Sequence, residues 1–543
     1  MGEFLQRAAV SILSTALYFF ASVRMLGVVQ QCGYRNSRFY GWLKRRDNLW
    51  YNRLCLLFLL LLLSCALTAL CFSFAGAKAA RLCAIVPFLL FTLLFCVAES
   101  KTPLKVPLKS TGRIRRLSAV YAFLLAVITY LIVAVCALFD GLISAELLSL
   151  FVYLPVCALP LLLPFIFALA NAVSCAFETP RNARFVKRAA EKLSAAKAAN
   201  GAPVIKIGIT GSYGKTSVKN ILATILSEKY RVCATEQSYN TPVGIAKTVF
   251  SEKFDGAEVF IAEMGATKEG DIEELCNVVR PDYAVFTGVC RQHAQTFGNL
   301  ESIFAEKKKI VSRAAEKAVC GAELYEQFAD KFTEEEKEKT LFVPREAIEN
   351  VKVTPFETSF DLTLCLKDGT KRTRRVGTKI LGRGAAENIA VAAYLAVEIG
   401  LTADEIFCGI QKAEPVPHRL NLIAENGVYV LDDGYNASEK SALQALEILS
   451  GFAGRKYVVT PGIVETGIED AAVNRPLGAR LAQFDGVYLH SGATALKEGY
   501  LLAGGKEETL RTYQSLEEVR SQLSAELQEG DAVLFLNDLP DVY

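Results

Sequence analysis

Long apolar segments in the first 175 residues constrain the fold more than any other feature of this chain. A helix that crosses a bilayer needs about 20 mostly apolar residues, because the hydrocarbon core is about 30 Å thick. Inside lipid the backbone N–H and C=O groups must bond within the segment, so such segments are expected to be helices. The segments that meet or approach this standard are 8–23, 54–75, 82–98, 117–139 and 147–173. The sequence therefore predicts a helical membrane domain of about five spans over residues 1–175.

Basic residues between these segments predict the orientation, because loops rich in Lys and Arg face the cytoplasm. Basic stretches follow the first, third and fifth segments, whereas the other two loops are poor in Lys and Arg. Their members are Arg24, Arg35, Arg38, Lys44, Arg45, Arg46 and Arg53; Lys101, Lys105, Lys109, Arg113, Arg115 and Arg116; and Arg181, Arg184, Lys187 and Arg188. This pattern predicts a multi-pass protein of the cell membrane, with the N-terminus outside and the C-terminal body in the cytoplasm. The same residues are also compatible with contacts to an anionic or phosphate-bearing lipid.

Other features of the composition exclude several classes of protein. A signal peptide is not favoured for the first segment, since no small-residue cleavage site precedes a secreted domain and more apolar segments follow. The net charge of +3 gives no support for a nucleic-acid partner. The 15 cysteines include no C-x-x-C pair, which argues against a zinc ribbon or a disulfide framework. Unpaired thiols suit the reducing cytosol.

The soluble part divides into a connector and two domains. Residues 176–203 are charged and rich in Ala, which predicts an amphipathic connector helix that is stopped by Asn200, Gly201 and Pro203. A central domain is predicted over 204–416. A second, smaller α/β domain is predicted over 417–543, where the strands KYVVTP, GVYLHSG and DAVLFLND alternate with helical stretches.

A phosphate-binding loop is predicted near the start of the central domain. VIKIGI has the pattern of a buried parallel strand, VKNILATIL has helical spacing, and TGSYGKTS lies between them. In such an arrangement the loop backbone and the helix N-terminus hold phosphates, Lys215 reaches the outer phosphates, and Thr216 offers a hydroxyl to Mg²⁺. The spacing departs from the strict G-x-x-x-x-G-K-[ST] pattern, because Ile209 stands where that pattern has its first Gly. The loop alone does not identify what receives the phosphate.

Several further motifs follow in an order that resembles the Mur ligase family, and within it the MurF type, which adds D-alanyl-D-alanine to a UDP-linked muramyl tripeptide. The motifs are YNTPVG at 239–244, AEMG at 262–265, TGVCRQHAQTFGNLESIFAEKKKI from 287, a helix that contains Asn388, and DDGYNAS at 432–438. The resemblance covers about 204–543. It implies a P-loop Mur ligase central domain, a smaller Rossmann-like C-terminal domain, and an ATP-dependent amide-forming ligase of peptidoglycan precursor synthesis that uses Mg²⁺.

The resemblance also implies roles for individual residues. Catalytic roles fall to Lys215, Lys307 and His293, and Lys307 matches the lysine that the family carbamylates. The implied metal ligands are Thr216, Glu263, His293 and Lys307. The implied ATP-binding residues are Thr210, Gly211, Ser212, Tyr213, Gly214, Lys215, Thr216, Ser217, Asn388, Arg419 and Asp433.

Departures from the MurF type concern the adenine contact, the acceptor and the precursor. Near the acceptor, the terminal LNDLPD stands where the type usually has a Lys-Gly-Ser segment. Gly384 and Ala385 stand where the family usually has His-Asn beside the adenine. DDGYNAS has Gly434, Ser438 and Glu439 where the type usually has Ser, Asn and Pro, which leaves the acceptor open. Membrane segments replace the soluble N-terminal domain that grips UDP, so the precursor could be lipid-linked or UDP-linked. The alternatives are another amide ligase of the superfamily, such as a polyglutamate-forming or folylpolyglutamate-like enzyme, and a membrane nucleotide-binding regulator without ligase turnover.

Overall fold

The computed structural model divides into two compact units, Met1–Ala183 and Arg184–Pro540. The residues whose structure is described are 2–44, 53–100, 108–137, 145–236, 239–290, 297, 299–435, 437–464, 470–513 and 516–537. Each unit is described separately below.

The N-terminal unit is built from helices. They are α1 (Gly2–Ala21), α2 (Val23–Gln31), α3 (Asn36–Leu43), α4 (Cys55–Ser100), α5 (Gly112–Ala137) and α6 (Ala145–Ala195). Two of the described helical stretches, Gly112–Val135 and Pro155–Ala195, are long and apolar enough to cross a membrane. A third span is possible if Ser11–Ala21 and Val23–Gln31, which meet at a bend of 42°, form one crossing. The shorter apolar helices Cys55–Thr68 and Val86–Ser100 coincide with the other two predicted segments, so the count of five spans stays a prediction.

Helix α4 folds back on itself. A straight helix of its 46 residues would be about 69 Å long, at 1.5 Å per residue. Arg53, just before its first residue, nevertheless places Nη1 2.5 Å from Oε1 of Glu99 near its last. The arms Cys55–Thr68 and Val86–Ser100 therefore return to the same end of the unit. The backbone between them is helical, where the sequence predicted a loop around Lys78 and Arg81.

The connector predicted over 176–203 is not a separate helix. It is the last part of α6, which continues without a break to Ala195, and the boundary between the two units falls inside this helix. Ala189 and Leu193 of this part are fully buried among side chains of the second unit. The apolar residues of this stretch thus pack in the core of the second unit. The periodicity of the sequence could not show this, because a helix that packs on a core and an amphipathic linker helix have the same pattern.

The central domain contains a six-stranded parallel sheet in the order β2-β3-β1-β4-β5-β6. The strands are β1 (Ile205–Thr210), β2 (Val232–Ala234), β3 (Val259–Glu263), β4 (Tyr283–Phe286), β5 (Lys317–Cys320) and β6 (Thr340–Phe342). The helices between them are α7 (Lys215–Leu226), α8 (Pro242–Val249), α9 (Asp271–Val279), α10 (Leu300–Arg313), α11 (Ala322–Phe328) and α12 (Glu334–Lys339). β1 lies in the middle of the sheet, where its neighbours β3 and β4 end beside it. In such sheets ligands bind beyond the carboxyl ends of the strands.

A small antiparallel sheet completes the central domain. Its strands β7 (Ile348–Val353), β8 (Thr358–Cys365) and β9 (Lys371–Thr378) are followed by the helices α13 (Arg383–Ile399) and α14 (Ala403–Lys412). Along β8 buried and half-buried residues alternate, so Phe360, Leu362 and Leu364 face the same apolar core as α7 and α13. This core holds α7 in place behind the loop that precedes it in sequence.

The C-terminal domain holds a six-stranded mixed sheet in the order β10-β11-β15-β12-β13-β14, with only the β10–β11 pair antiparallel. The strands are β10 (Asn421–Glu425), β11 (Val428–Asp433), β12 (Lys456–Thr460), β13 (Gly486–His490), β14 (Leu510–Tyr513) and β15 (Ala532–Leu536). The helices are α15 (Glu439–Ser450), α16 (Asp470–Leu481), α17 (Thr494–Leu502) and α18 (Leu516–Glu526). The predicted architecture, helices followed by two α/β domains, is therefore present.

Candidate active site

The loop between β1 and α7 has the backbone of a phosphate-binding turn. Gly211 and Gly214 adopt φ of +154° and +76°, a region that residues with a Cβ rarely adopt. A Cβ on Gly211 would lie 1.9 Å from Oγ1 of Thr287, so the strand-end loops approach too closely for any side chain there. The first turn of α7 directs its backbone N–H groups into this loop. The loop predicted from the sequence is therefore formed.

Two lysine amines converge on one carbonyl oxygen of this loop. Lys215 Nζ donates to Gly211 O over 2.7 Å, and Lys307 Nζ, from α10, donates to the same oxygen over 3.0 Å. Lys307 is almost completely buried. Burial and then the charge of Lys215 lower the pKa of the Lys307 amine to about 7. Desolvation also lowers the pKa of Lys215, against the raising effect of Glu263. Each amine disfavours the charged form of the other, which is part of the reason why the pKa of Lys307 is low.

Glu263 ends β3 beside this pair, and its carboxylate is buried. Its Oε2 accepts hydrogen bonds from Thr216 Oγ1 over 2.9 Å and from Lys219 Nζ over 3.1 Å. Lys219 and Glu263 have side chains that are 1% and 2% exposed. A buried ion pair of this kind persists only with good geometry and further hydrogen bonds, and Thr216 provides one to the carboxylate. The backbone N–H of Glu263 donates to the hydroxyl oxygen of Thr235, which fixes the end of β3.

The oxygens of Thr216 and Glu263 fit a small hard cation. Mg²⁺ prefers carboxylate and hydroxyl oxygens and usually combines one or two protein ligands with phosphate oxygens. Among the described residues no group of three or more His, Cys, Asp or Glu side chains is arranged to hold a metal by itself. The predicted ligand His293 lies outside the described residues. The Lys307 amine donates to Gly211 O, whereas the side-chain donors to the Glu263 carboxylate are Thr216 and Lys219.

Asn388 lies directly against the loop. It stands near the start of α13, and a Cβ on Gly214 would come within 2.8 Å of its Oδ1. Gly384, where the family usually has a polar residue, instead leaves room for Gln444 of the C-terminal domain, whose Oε1 would be 3.2 Å from a Cβ there. A side chain from the neighbouring domain thus occupies the space that the departure in sequence opens.

The predicted residues Arg419 and Asp433 lie at the start of the C-terminal domain, and the charge of Arg419 acts on Lys215 of the loop. Arg419 stacks on Tyr435 at 4.4 Å, and its positive charge contributes to the lowered pKa of Lys215. Asp433 ends β11, is buried, and accepts from the Leu420 N–H through Oδ1 over 3.1 Å. His418 and Leu420, on either side of Arg419, both have positive φ, 61° and 49°. A non-Gly residue held in that region costs about 1–3 kcal/mol and marks a position that its surroundings constrain.

A further polar cluster joins the same two domains at the loop. Lys440 of α15 forms ion pairs with Glu323 of α11 and, at 3.3 Å, with Glu387 of α13. Its amine also lies 5.5 Å from the ring of Tyr213, whose hydroxyl donates to Glu323 Oε2 over 3.3 Å. Burial opposes the charge of Lys440, but Glu387 and Glu323 raise its pKa overall. Tyr213 of the loop is thereby connected to the C-terminal domain.

Two further residues of the loop form hydrogen bonds to backbone carbonyl groups of neighbouring strands and loops. Thr210 is fully buried and donates its hydroxyl to Met264 O, and Ser212 donates its N–H to Gly288 O. Ser217 lies on the first turn of α7. Sequence reasoning missed Lys219, Thr287, Glu323 and Lys440. Lys219 alone had a signal, since it lies three and four positions after Thr216 and Lys215 on α7 and so shares their face.

Comparisons with known proteins agree with this geometry. Residues 209–396 match the family described as Mur ligase middle domain. UDP-N-acetylmuramoyl-tripeptide--D-alanyl-D-alanine ligase from Treponema pallidum is 27% identical over 349 residues, which are 61% of this chain and 71% of the relative. The protein of the same name from Escherichia coli is 30% identical over 298 residues, which are 52% of this chain and 64% of the relative.

Solved structures give the same result. A crystal structure of MurF ligase from Thermotoga maritima in complex with ADP has a TM-score of 0.56 and 26% identity, and covers 66% of this chain and 81% of that chain. MurF from Acinetobacter baumannii, at 22% identity and a TM-score of 0.55, shares the fold.

Proposed function

We propose that this chain, whose residues 209–396 match the Mur ligase middle domain, is a ligase of the MurF type that forms an amide bond in a peptidoglycan precursor at the expense of ATP. The acid would be the carboxylate of a muramyl peptide, and the amine that of an amino acid or of D-alanyl-D-alanine. The names of the relatives from Treponema pallidum and Escherichia coli support this pair of substrates, and the ADP complex of the Thermotoga maritima protein supports the nucleotide.

One observation carries the proposal: Lys215 and Lys307 point their amines at the same loop carbonyl, beside the carboxylate of Glu263. A site that only held a nucleotide would need the loop and one lysine. This site also has Lys307 and, at the end of a neighbouring strand, Glu263. Such additional groups suit a reaction in which negative charge develops on phosphate and carboxylate oxygens. Such charge is stabilised by groups that are fixed before the reaction begins.

The proposed reaction has two steps. A carboxylate oxygen of the precursor attacks the γ-phosphorus of ATP, the bond to the β–γ bridging oxygen breaks, and an acyl phosphate and ADP result. The amine nitrogen then attacks the acyl carbon, the tetrahedral intermediate expels phosphate, and the nitrogen loses a proton. The Lys215 amine and the N-terminus of α7 would bind the phosphate oxygens throughout both steps.

Mg²⁺, when bound, would supply charge neutralisation between the phosphate oxygens. Thr216 and Glu263 are proposed to hold it, with His293 as a further ligand. Lys307 is proposed to carry a carbamate, which would turn an amine into an anionic oxygen ligand. A pKa of about 7 keeps much of this amine neutral at cytoplasmic pH, and only the neutral amine adds to CO₂. Asn388, Arg419 and Asp433 are proposed to contact the nucleotide, the last two through closure of the C-terminal domain.

The helical unit is proposed to hold the ligase at the cytoplasmic face of the cell membrane. Its apolar helices and the basic residues that follow them support this placement. A ligase held there could use a lipid-linked precursor instead of a UDP-linked one. Assays with both forms separate these possibilities, and turnover of the UDP-linked form alone would rule out the lipid-linked version.

Mass analysis of the product tests the function directly. Purified full-length protein is incubated with ATP, Mg²⁺, D-alanyl-D-alanine and muramyl tripeptide precursors, and the expected product has the mass of the amide. Lys215→Ala should abolish both product and ADP, whereas Lys317→Ala, at the opposite end of the parallel sheet and exposed, should leave both unchanged. Transfer of glutamate without transfer of D-alanyl-D-alanine would indicate another amide ligase of the family. Nucleotide binding without amine-dependent phosphate release would indicate a regulator.

A further inference from the structure

An arginine of the helical unit is buried with few acceptors for its guanidinium. The Arg24 side chain is 13% exposed, and its Nη1 is 3.5 Å from Oε2 of Glu99. Among the described residues, no hydrogen-bond acceptor meets its buried Nε–H. Trp42 presents a ring 5.7 Å from the guanidinium carbon, which attracts the cation but accepts no conventional hydrogen bond. A buried donor that lacks an acceptor costs about 1–3 kcal/mol, and more when it is charged.

The same carboxylate also serves a second arginine. Arg53 Nη1 lies 2.5 Å from Oε1 of Glu99, so each oxygen of Glu99 faces a different guanidinium. Glu99 is 4% exposed, whereas Arg53 is 37% exposed. The short contact commits Glu99 mainly to Arg53. Arg24 retains most of its donors for another anion.

These three residues stand where apolar helices end. Arg24 follows the apolar stretch Ser11–Ala21, Arg53 precedes Cys55–Thr68, and Glu99 is the penultimate residue of Val86–Ser100. Two apolar helices therefore have an end at this point, and Arg24 lies at the bend between Ser11–Ala21 and Val23–Gln31. If the unit crosses a membrane, that level is the boundary between hydrocarbon and headgroups.

We propose that Arg24 and Arg53 bind the phosphate of an anionic lipid headgroup, and that the Glu99 carboxylate, which pairs with both guanidinium groups, competes with this phosphate. Planar guanidinium groups bind phosphate oxygens through paired N–H donors, and basic residues at this level of a membrane attract anionic lipids. The proposal rests on the membrane placement of the helical unit and is independent of the ligase reaction. The chemistry required is a phosphate with net negative charge, which a phosphomonoester lipid provides.

Lipid binding to full-length protein in a neutral detergent tests this site. Phosphatidic acid, phosphatidylcholine and inorganic phosphate are titrated separately, and bound molecules are counted by native mass spectrometry. Wild-type protein should bind phosphatidic acid in preference to the zwitterionic lipid. Arg24→Gln should weaken that binding by about tenfold, the loss expected for one charge-assisted contact. Arg115→Gln removes the same charge from an exposed position of the same unit and should change binding less than about twofold.

A variant that binds the lipid more tightly distinguishes a specific binding site from an effect of misfolding. Glu99→Gln removes the competing carboxylate and should tighten the binding of phosphatidic acid, which a misfolded protein would not do. Equal losses in Arg24→Gln and Arg115→Gln, or no gain in Glu99→Gln, would overturn the site. Displacement of the lipid by inorganic phosphate at equal concentration would show a soluble phosphate site and overturn the lipid source. Membrane placement is tested separately, since a protein that alkaline carbonate releases from membranes is not integral, whatever its ligase activity.

Discussion

The ammonium of Lys219 lies 3.1 Å from the carboxylate of Glu263, and both side chains are almost completely excluded from solvent. Because Glu263 adjoins the phosphate loop through Thr216, this pair joins the stability of the central domain to the geometry of its active site. Lys219 is thus a positioning residue for the proposed metal ligand.

We expect Lys219→Met to lower the free energy of unfolding by about 3–5 kcal/mol, since it leaves a buried carboxylate without its counter-charge. Chemical denaturation measures this loss. The double variant Lys219→Met, Glu263→Gln removes the stranded charge and should recover much of the stability, while ligase activity stays absent because a proposed metal ligand has gone. Wild-type stability in Lys219→Met alone would show that the pair contributes little.

Lys307 should make stability depend on pH in a defined direction. Its folded pKa is about 7 and its ordinary value is 10.5, so between these values the unfolded chain binds more protons than the folded one. The contribution of Lys307 to the free energy of unfolding therefore rises with pH between about 7 and 10.5, and it is constant below about pH 7. The free energy of unfolding of wild-type protein minus that of Lys307→Met, measured in CO₂-free buffer, should increase from pH 7 to pH 10. A difference that does not vary with pH would contradict the buried, neutral amine.

The proposed carbamate at Lys307 predicts chemical rescue. Lys307→Ala should lower turnover by more than about a hundredfold, and small carboxylic acids should restore part of it, because they supply the missing anionic oxygen. Lys308→Ala is the matched control, since the adjacent amine pairs with Glu336 away from the loop and its loss should leave turnover within about twofold of wild type. Full activity in Lys307→Ala would remove the carbamate role.

Local sequence pattern was enough to predict the strand, loop and helix of the candidate site. The apolar run before Thr210 and the helical spacing after Lys215 fix the strand, loop and helix, and Glu263 follows from the end of an apolar strand. Lys440 and Glu323 could not be predicted in this way, because they are 117 positions apart and meet only through the packing of two domains. Similarly, pattern alone does not show which lysine of α7 is buried, since that depends on the acidic partner at a different strand end.

Two glycine variants separate the effect of backbone strain from that of a steric clash at the phosphate loop. Gly214→Ala and Gly270→Ala both place a Cβ at positive φ, 76° and 89°, at a cost of about 1–2 kcal/mol. Only at Gly214 does that Cβ meet a neighbour, Oδ1 of Asn388 at 2.8 Å, whereas the space at Gly270 is open. We therefore expect similar losses of thermal stability, but a KM for ATP raised about tenfold or more in Gly214→Ala alone. Equal KM values in the two variants would mean that Asn388 does not act at the nucleotide.

The cluster around Lys440 predicts a change in how the two α/β domains associate. Lys440 is the residue of α15 that pairs with Glu323 and Glu387 of the central domain, so Lys440→Gln should weaken the contact between the domains without disturbing either core. In the absence of nucleotide, trypsin should then cleave more rapidly at Arg419, whose strained neighbours His418 and Leu420 connect the domains. Lys497→Gln, an exposed residue of α17, should leave the cleavage rate unchanged. Unaltered cleavage in Lys440→Gln would show that other contacts, such as Phe356 against Tyr429 and Phe452, suffice to hold the domains together.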